Sequence, residues 1–221
     1  DDTFIRGVRN YLRDKAFGNG ELADFIGAME AAAGRSLEHW ADVWLRTAGV
    51  DVLSVEDDAL LRRTPPRDAP VDRPHTLDLG RVEFDGTVRT ELVQLAGDTA
   101  QIPEALRGGA ITLPNATDLT WATLELPAPQ VDLVPEVLPH IADAQVRAVL
   151  WSALIEGVYR GRVSPGHLLR AVASAWPSET NAAILSRVAL NLTGRVIPAV
   201  VPDEGRRAAE DILATAAQAR L

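Results

Sequence analysis

Apolar positions recur every three to four residues from the N-terminus to Gly49. They alternate with polar positions from Val50 to Leu126, then return to helical spacing for the rest of the chain. The first change of period falls at Ser36–Gly49, around which the chain is organised. Ser36 can cap a helix, Glu38 places an acid in its first turn, Arg46 a base in its last, and Gly49 supplies a left-handed stop. Leu37, Trp40 and Trp44 share one face of that helix, and two Trp on so short an element call for a ready-made apolar partner surface.

Two helices precede it. Thr3–Ala16 carries the stripe Phe4, Ile5, Val8, Tyr11 and Leu12, and Gly18-Asn19-Gly20 breaks it. Glu21–Ala33 carries Leu22, Phe25, Ile26 and Met29 and stops at Gly34. After Gly49 the alternation predicts strands at Val50–Val55, Ala59–Thr64, His75–Glu83, Thr87–Leu95, Gln101–Ile102, Ala110–Leu113 and Thr120–Leu126. Asp85-Gly86 is the clearest hairpin signal, and the charged, proline-bearing stretch Arg67–Pro74 reads as an exposed loop. Short strands at this density favour a small all-β sandwich over an α/β sheet.

Pro127-Ala128-Pro129 marks a second seam. Beyond it helices are predicted near Val131–His140, Ala144–Tyr159, Pro165–Trp176, Thr180–Leu192 and Asp203–Arg220, with Gly161 and Gly194 as stops. Helices joined by short turns suggest antiparallel pairs stacking as a right-handed solenoid. The predicted architecture is therefore α+β in three sections: a short helical section (1–49), a β-sandwich (50–126) and the start of an all-α antiparallel helical solenoid (127–221). The three short helices are too few to close a core, no cap follows the solenoid, and the chain opens directly into an amphipathic helix. Each points to an excised fragment.

Composition narrows the partners. At 221 residues, 47% hydrophobic and 24% charged, the chain is ordinary globular material. The net charge of −9 argues against a nucleic-acid or anionic-membrane footprint, and no uninterrupted apolar run approaches a membrane span. Without cysteine there are no disulfides, thiol nucleophiles or Cys-ligated metals.

Candidate chemistry is sparse. The four histidines, His39, His75, His140 and His167, form no metal-binding pair. Glu136 and His140 have helical spacing but Pro139 interrupts them, so surface or capping roles are expected. No Gly-x-Ser-x-Gly elbow or phosphate loop exists. The sequons at Asn115 and Asn191 are chance matches in the absence of any sign of secretion. Trp121, Trp151 and Trp176 are expected to pack rather than to form a stacking platform. Glu204, Arg206, Arg207, Glu210 and Asp211 read as a solvated helix face.

The whole chain resembles the C-terminal half of the bacterial aminopeptidase N family, which are gluzincin zinc peptidases. The resemblance rests on Phe4, Gly7-Val8-Arg9 and Tyr11, on Leu22-Ala23-Asp24-Phe25, and on Trp40, Trp44-Leu45 and Ala48-Gly49, in that order. Leu113-Pro114-Asn115, Asp118-Leu119-Thr120 and the following strand add to it, with Trp121 where the family suggests Tyr. Ala148-Val149-Leu150-Trp151 and Pro177-Ser178-Glu179-Thr180-Asn181 extend it into the last section. Gly27-Ala28-Met29-Glu30 imitates the family's amine-recognition box, but Ala31 follows where Asn belongs, and Met29 sits in helical core register.

The resemblance implies a parent that removes N-terminal residues from peptides with zinc-activated water, and a cytoplasmic location. It also implies that the zinc ligands, the general base and the transition-state Tyr lie in polypeptide preceding this segment. No catalytic or metal-binding residue is assigned here, no cofactor is expected in this chain, and substrate-binding residues stay unassigned. The expected role is to scaffold the parent and wall its active-site cavity. The expected partners are the missing N-terminal and catalytic domains, with self-association through exposed apolar helix faces where those domains are absent. Neither nucleic acid nor membrane is expected. The rival reading is an independent peptide- or protein-binding module, which would bury Phe4, Phe25 and the Trp helix and show one polar-rimmed groove. A hydrolase acting alone is the remaining alternative.

Overall fold

A computed structural model of the chain describes residues 2–220, which form an α+β structure of two compact units. One unit runs to Gly49 and takes in Arg67–Arg73; the other comprises Val50–Pro66 and the chain from Pro74 onward.

The first unit is built on α1 (Asp2–Asp14), α2 (Leu22–Ala33) and α3 (Glu38–Leu45). A Cβ added at Gly7 would come 2.5 Å from the Met29 sulfur, so α1 and α2 meet where the side chain is smallest. Tyr11 meets Phe25 edge-on, ring centres 5.4 Å apart. The Asp24 carboxylate accepts the Glu21 N–H at 3.0 Å at the start of α2. Gly34 adopts φ 67° at its end, as its position predicts. Ser36 accepts the Glu38 N–H at 3.2 Å, and Glu30 accepts the Leu37 N–H at 2.7 Å.

The buried residues of α3 are Ala41 and Val43, while Trp40 is 43% exposed and Trp44 half-buried. Trp40 thus stands uncovered, as expected of the Trp helix in a fragment, while Trp44 is partly covered by Arg73. The expectation that Arg67–Pro74 is simply an exposed loop is corrected, because Arg73 is 2% exposed. Its Nε donates to the Val43 carbonyl at 2.7 Å and its Nη2 to Thr47 Oγ1 at 2.8 Å, with the guanidinium 5.9 Å from the Trp44 ring centre. A fork of donors lets a buried Arg satisfy itself where hydropathy alone would place it outside.

The second unit begins with seven strands, each within a predicted stretch or overlapping one: β1 (Val52–Glu56), β2 (Leu60–Thr64), β3 (His75–Val82), β4 (Val88–Leu95), β5 (Thr99–Gln101), β6 (Ile111–Leu113) and β7 (Thr123–Glu125). They form two small sheets, in order β5-β2-β1-β7 and β4-β3-β6. All neighbours are antiparallel except β1 and β7, which run parallel. Leu53, Val55 and Leu61 of one sheet and Leu77, Leu79 and Leu95 of the other share a core with Ile102 and Leu106. This is the two-residue alternation made physical.

The β3–β4 hairpin closes with the Glu83 N–H on the Thr87 carbonyl at 2.8 Å, and Asp85 accepts the Thr87 N–H at 2.9 Å. Gly86 takes φ 84°, and a Cβ there would lie 2.3 Å from the His140 backbone. Glycine is required at this tip for both reasons.

Five helices follow: α4 (Ala128–Val137), α5 (Ala144–Tyr159), α6 (Pro165–Ala175), α7 (Ala182–Asn191) and α8 (Asp203–Gln218). α4 starts earlier than predicted because Pro129 fits the first turn, where no N–H is needed. Asp143 and Asn181 cap α5 and α7 through the Gln145 and Ala183 amides at 2.7 and 2.9 Å. Gly194 does not stop its helix: the chain continues as a π-helix over Leu192–Val200, burying Leu192, Val196 and Ile197. An interior glycine costs only about 1 kcal/mol, which that burial exceeds. The helical run Ala182–Val200 has the length and mean hydropathy (1.2) of a membrane span by composition. Its buried face also carries Ile184 and Val188. The larger core joins these helices to Val82, Ile111 and Leu113 of the strands without a break at Pro127.

Candidate functional site

The second unit holds two places where polar side chains converge. The first is sealed. His75, at the start of β3, has a fully buried side chain whose Nε2 lies 3.0 Å from Asp51 Oδ2 and whose Nδ1 lies 2.7 Å from Thr120 Oγ1. Both contacts are met if Nε2–H donates to the carboxylate and Nδ1 accepts the hydroxyl proton, a tautomer assigned from the network. Arg63 of β2 places Nη1 3.3 Å from Asp51 Oδ2 and Nη2 2.6 Å from Asp98 Oδ1. The Asn115 amide organises the loop that delivers Thr120, donating to the Thr120 carbonyl at 2.8 Å and accepting the Leu119 and Thr120 N–H groups at 2.8 and 3.1 Å.

A hydroxyl, an imidazole and a carboxylate in line have the order of a nucleophilic relay. Here the ring and the carboxylate are fully enclosed and the carboxylate is held by a guanidinium. The group therefore ties four strand ends together and offers no base to a substrate. The expectation that His75 sits at the surface is corrected. A buried histidine is tolerated because both nitrogens are hydrogen-bonded, and the distant Asp51 and Thr120 carry no local sequence signal of that. Asn115, 1% exposed, is likewise buried where its sequon would need it at the surface.

The second place is open. A cleft of about 400 Å³ runs between β7 and α5, lined by Trp121, Ala122 and Leu124 on one side and Gln145, Ser152 and Glu156 on the other, with Arg187 from α7. Trp151 and Trp176 are buried as expected, but Trp121 is 76% exposed at this cleft. It lies just before β7, outside the ladder that would have packed it. Alternation alone could not show that the strand starts two residues later.

The other residues singled out in the sequence do not converge. His39 and His140 are exposed, and His167 bonds through Nε2 to Asp132 at 2.8 Å and through Nδ1 to the Ser164 hydroxyl. Asn191 accepts the Tyr159 hydroxyl at 2.6 Å. Met29 is a buried core residue of α2. Among the described residues no group of three or more His, Asp or Glu side chains could hold a metal ion. The buried imidazole has both nitrogens engaged, so the donor set does not fit a zinc site and no metal step is assigned to this chain.

No protein-family model matches the sequence. The chain is similar to aminopeptidase N of Streptomyces lividans, 31% identical over 69% of this chain and 20% of that protein. It is also similar to aminopeptidase 2 of Candida albicans, 32% identical over 26% of this chain and 6% of that protein. In fold it is similar to the crystal structure of Legionella pneumophila aminopeptidase A in complex with aspartic acid, with TM-score 0.51 and 12% identity, covering 100% of this chain and 33% of that one. The chain thus spans 20% of the length of the Streptomyces relative. In fold it is like a solved aminopeptidase, and its sequence makes it a segment of an aminopeptidase N-like protein.

Proposed function

We propose that this segment is the non-catalytic, scaffolding part of a zinc-dependent aminopeptidase that removes N-terminal residues from peptides. On this reading α1–α3 finish the catalytic domain, the two sheets form a sandwich, and α4–α8 begin a helical solenoid that walls the active-site cavity and limits substrate size. The observation that carries it is the 31% identity to aminopeptidase N over 69% of the chain.

The first unit supports the same reading. Phe4, Ile5 and Leu12 of α1 are 54%, 52% and 61% exposed, an apolar stripe fit to be covered by the rest of a catalytic domain. An independent binding module would have buried it, which weighs against that rival.

The test joins or omits this segment. The parent's upstream catalytic part is produced with and without it, and turnover of an aminoacyl-arylamide and of longer peptides is measured. Dependence of activity or of length selectivity on the segment supports the role. An upstream part equally active and equally selective alone would overturn it.

A further inference from the structure

Among the described residues β4 is the end strand of its sheet, paired on one side only, with β3. The bonded pair Glu83–Thr87 sets the phase of the ladder, so Arg89, Glu91 and Val93 bond to β3 while Val88, Thr90 and Leu92 turn their N–H and C=O groups to the free edge. Arg89, Thr90, Glu91 and Leu92 are all exposed, Leu92 at 62%. Neither Arg89 nor Glu91 has an ion-pair partner among the described residues. A long edge of this kind is a template for a further strand.

The order of side chains says which strand. When a second copy of β4 is laid antiparallel about a two-fold axis at Thr90, the outward-facing residues form the new hydrogen-bonded pairs: Thr90 with Thr90 and Val88 with Leu92. Arg89 of each copy then stands directly opposite Glu91 of the other, twice per interface, at the closer non-hydrogen-bonded spacing. An axis at Glu91 sets Glu91 against itself, and an axis at Arg89 sets Arg89 against itself. Only the Thr90 register matches both charge and hydrogen-bonding phase.

We infer that β4 is a self-recognition edge through which two copies of this chain pair antiparallel about Thr90, selected by reciprocal Arg89–Glu91 ion pairs. The interface is isologous and small, so the dimer is weak and concentration-dependent. The inference does not depend on the proposed scaffolding role.

Sedimentation velocity of the chain over a concentration series tests it. The wild type goes from monomer to dimer as concentration rises. Arg89→Glu or Glu91→Arg alone places like charges opposite one another twice and weakens the dimer by about tenfold or more. The double variant, Arg89→Glu with Glu91→Arg, restores affinity to near the wild-type value. Thermal melts of each variant confirm folding, and Thr90→Pro, which removes an outward N–H, abolishes pairing while the monomer stays folded. A chain that stays monomeric at its solubility limit overturns the inference. So does a dimer indifferent to the charge swaps, as one through the apolar face of α1 would be, or a double variant that fails to recover.

Discussion

Arg147 grips the Glu179 carboxylate with two hydrogen bonds, Nε to Oε2 at 2.9 Å and Nη2 to Oε1 at 2.8 Å, with the Glu179 side chain only 2% exposed. The same arginine caps the Ile141 and Ala142 carbonyls at 2.9 and 2.8 Å, and Glu179 accepts the Asn181 N–H at 2.8 Å where α7 begins. One pair thus joins the start of α5 to the start of α7. Burial pushes the Glu179 carboxyl up, but the Arg147 hydrogen bonds and the Asn181 amide outweigh it and leave its pKa below the usual value.

A lowered folded-state pKa gives a contribution that is complete above the unfolded-state value, about 4.3, and is lost as pH falls through the folded one. Arg147→Ala, which leaves a buried unpaired carboxylate, is expected to cost about 3–5 kcal/mol at neutral pH. That penalty shrinks as pH falls, because without Arg147 burial pushes the stranded Glu179 carboxyl up and it protonates before the wild-type carboxyl does. Urea unfolding of wild type and variant at neutral and acid pH measures both the size and the direction.

The Asp51 cluster predicts a contrast within a single set of partners. Asp51→Ala strips both the buried His75 and the buried Arg63 of an acceptor and is expected to cost about 3–5 kcal/mol. Asp98→Ala removes a partner of the same arginine, but Asp98 is 67% exposed, and the loss stays within about 1 kcal/mol. Equilibrium unfolding of the two variants side by side gives the ratio.

Gly86 is a third position where substitution should be costly. Gly86→Ala must hold φ near 84° and place a methyl against the His140 backbone, so a loss of about 2–4 kcal/mol is expected. Gly97→Ala, where no atom lies within 4 Å of the added methyl and φ is not positive, is the neutral control. Thermal melts of both variants read the difference.

In the first unit, Arg73→Lys keeps the charge but loses the fork that reaches Val43 and Thr47 together. The stretch Arg67–Arg73 should then open locally. Limited proteolysis within it is expected to quicken several-fold while global unfolding changes little.

Most elements were legible because two periods suffice to find them: the alternating strands lie within or overlap their predicted stretches, and Gly34 ends its helix as read. What was not legible depends on partners distant in sequence. Trp40 and Trp44 announce an apolar face but not what covers it. His75 and Arg73 read as surface residues because hydropathy does not register the hydrogen bonds that let a polar side chain be buried. Gly194 reads as a stop because local propensity ignores the core that Val196 and Ile197 reach by continuing. Trp121 was misplaced because the strand was expected from Thr120 and begins at Thr123, which was enough to move it from a packed position to the lip of a cleft.

The most direct test of the central claim, that this chain contributes architecture rather than chemistry, is aminoacyl-arylamide turnover by the purified chain with added zinc. The account predicts none above buffer at any zinc concentration. Turnover that rises with zinc, disappears with a chelator and returns on adding the metal back would contradict it.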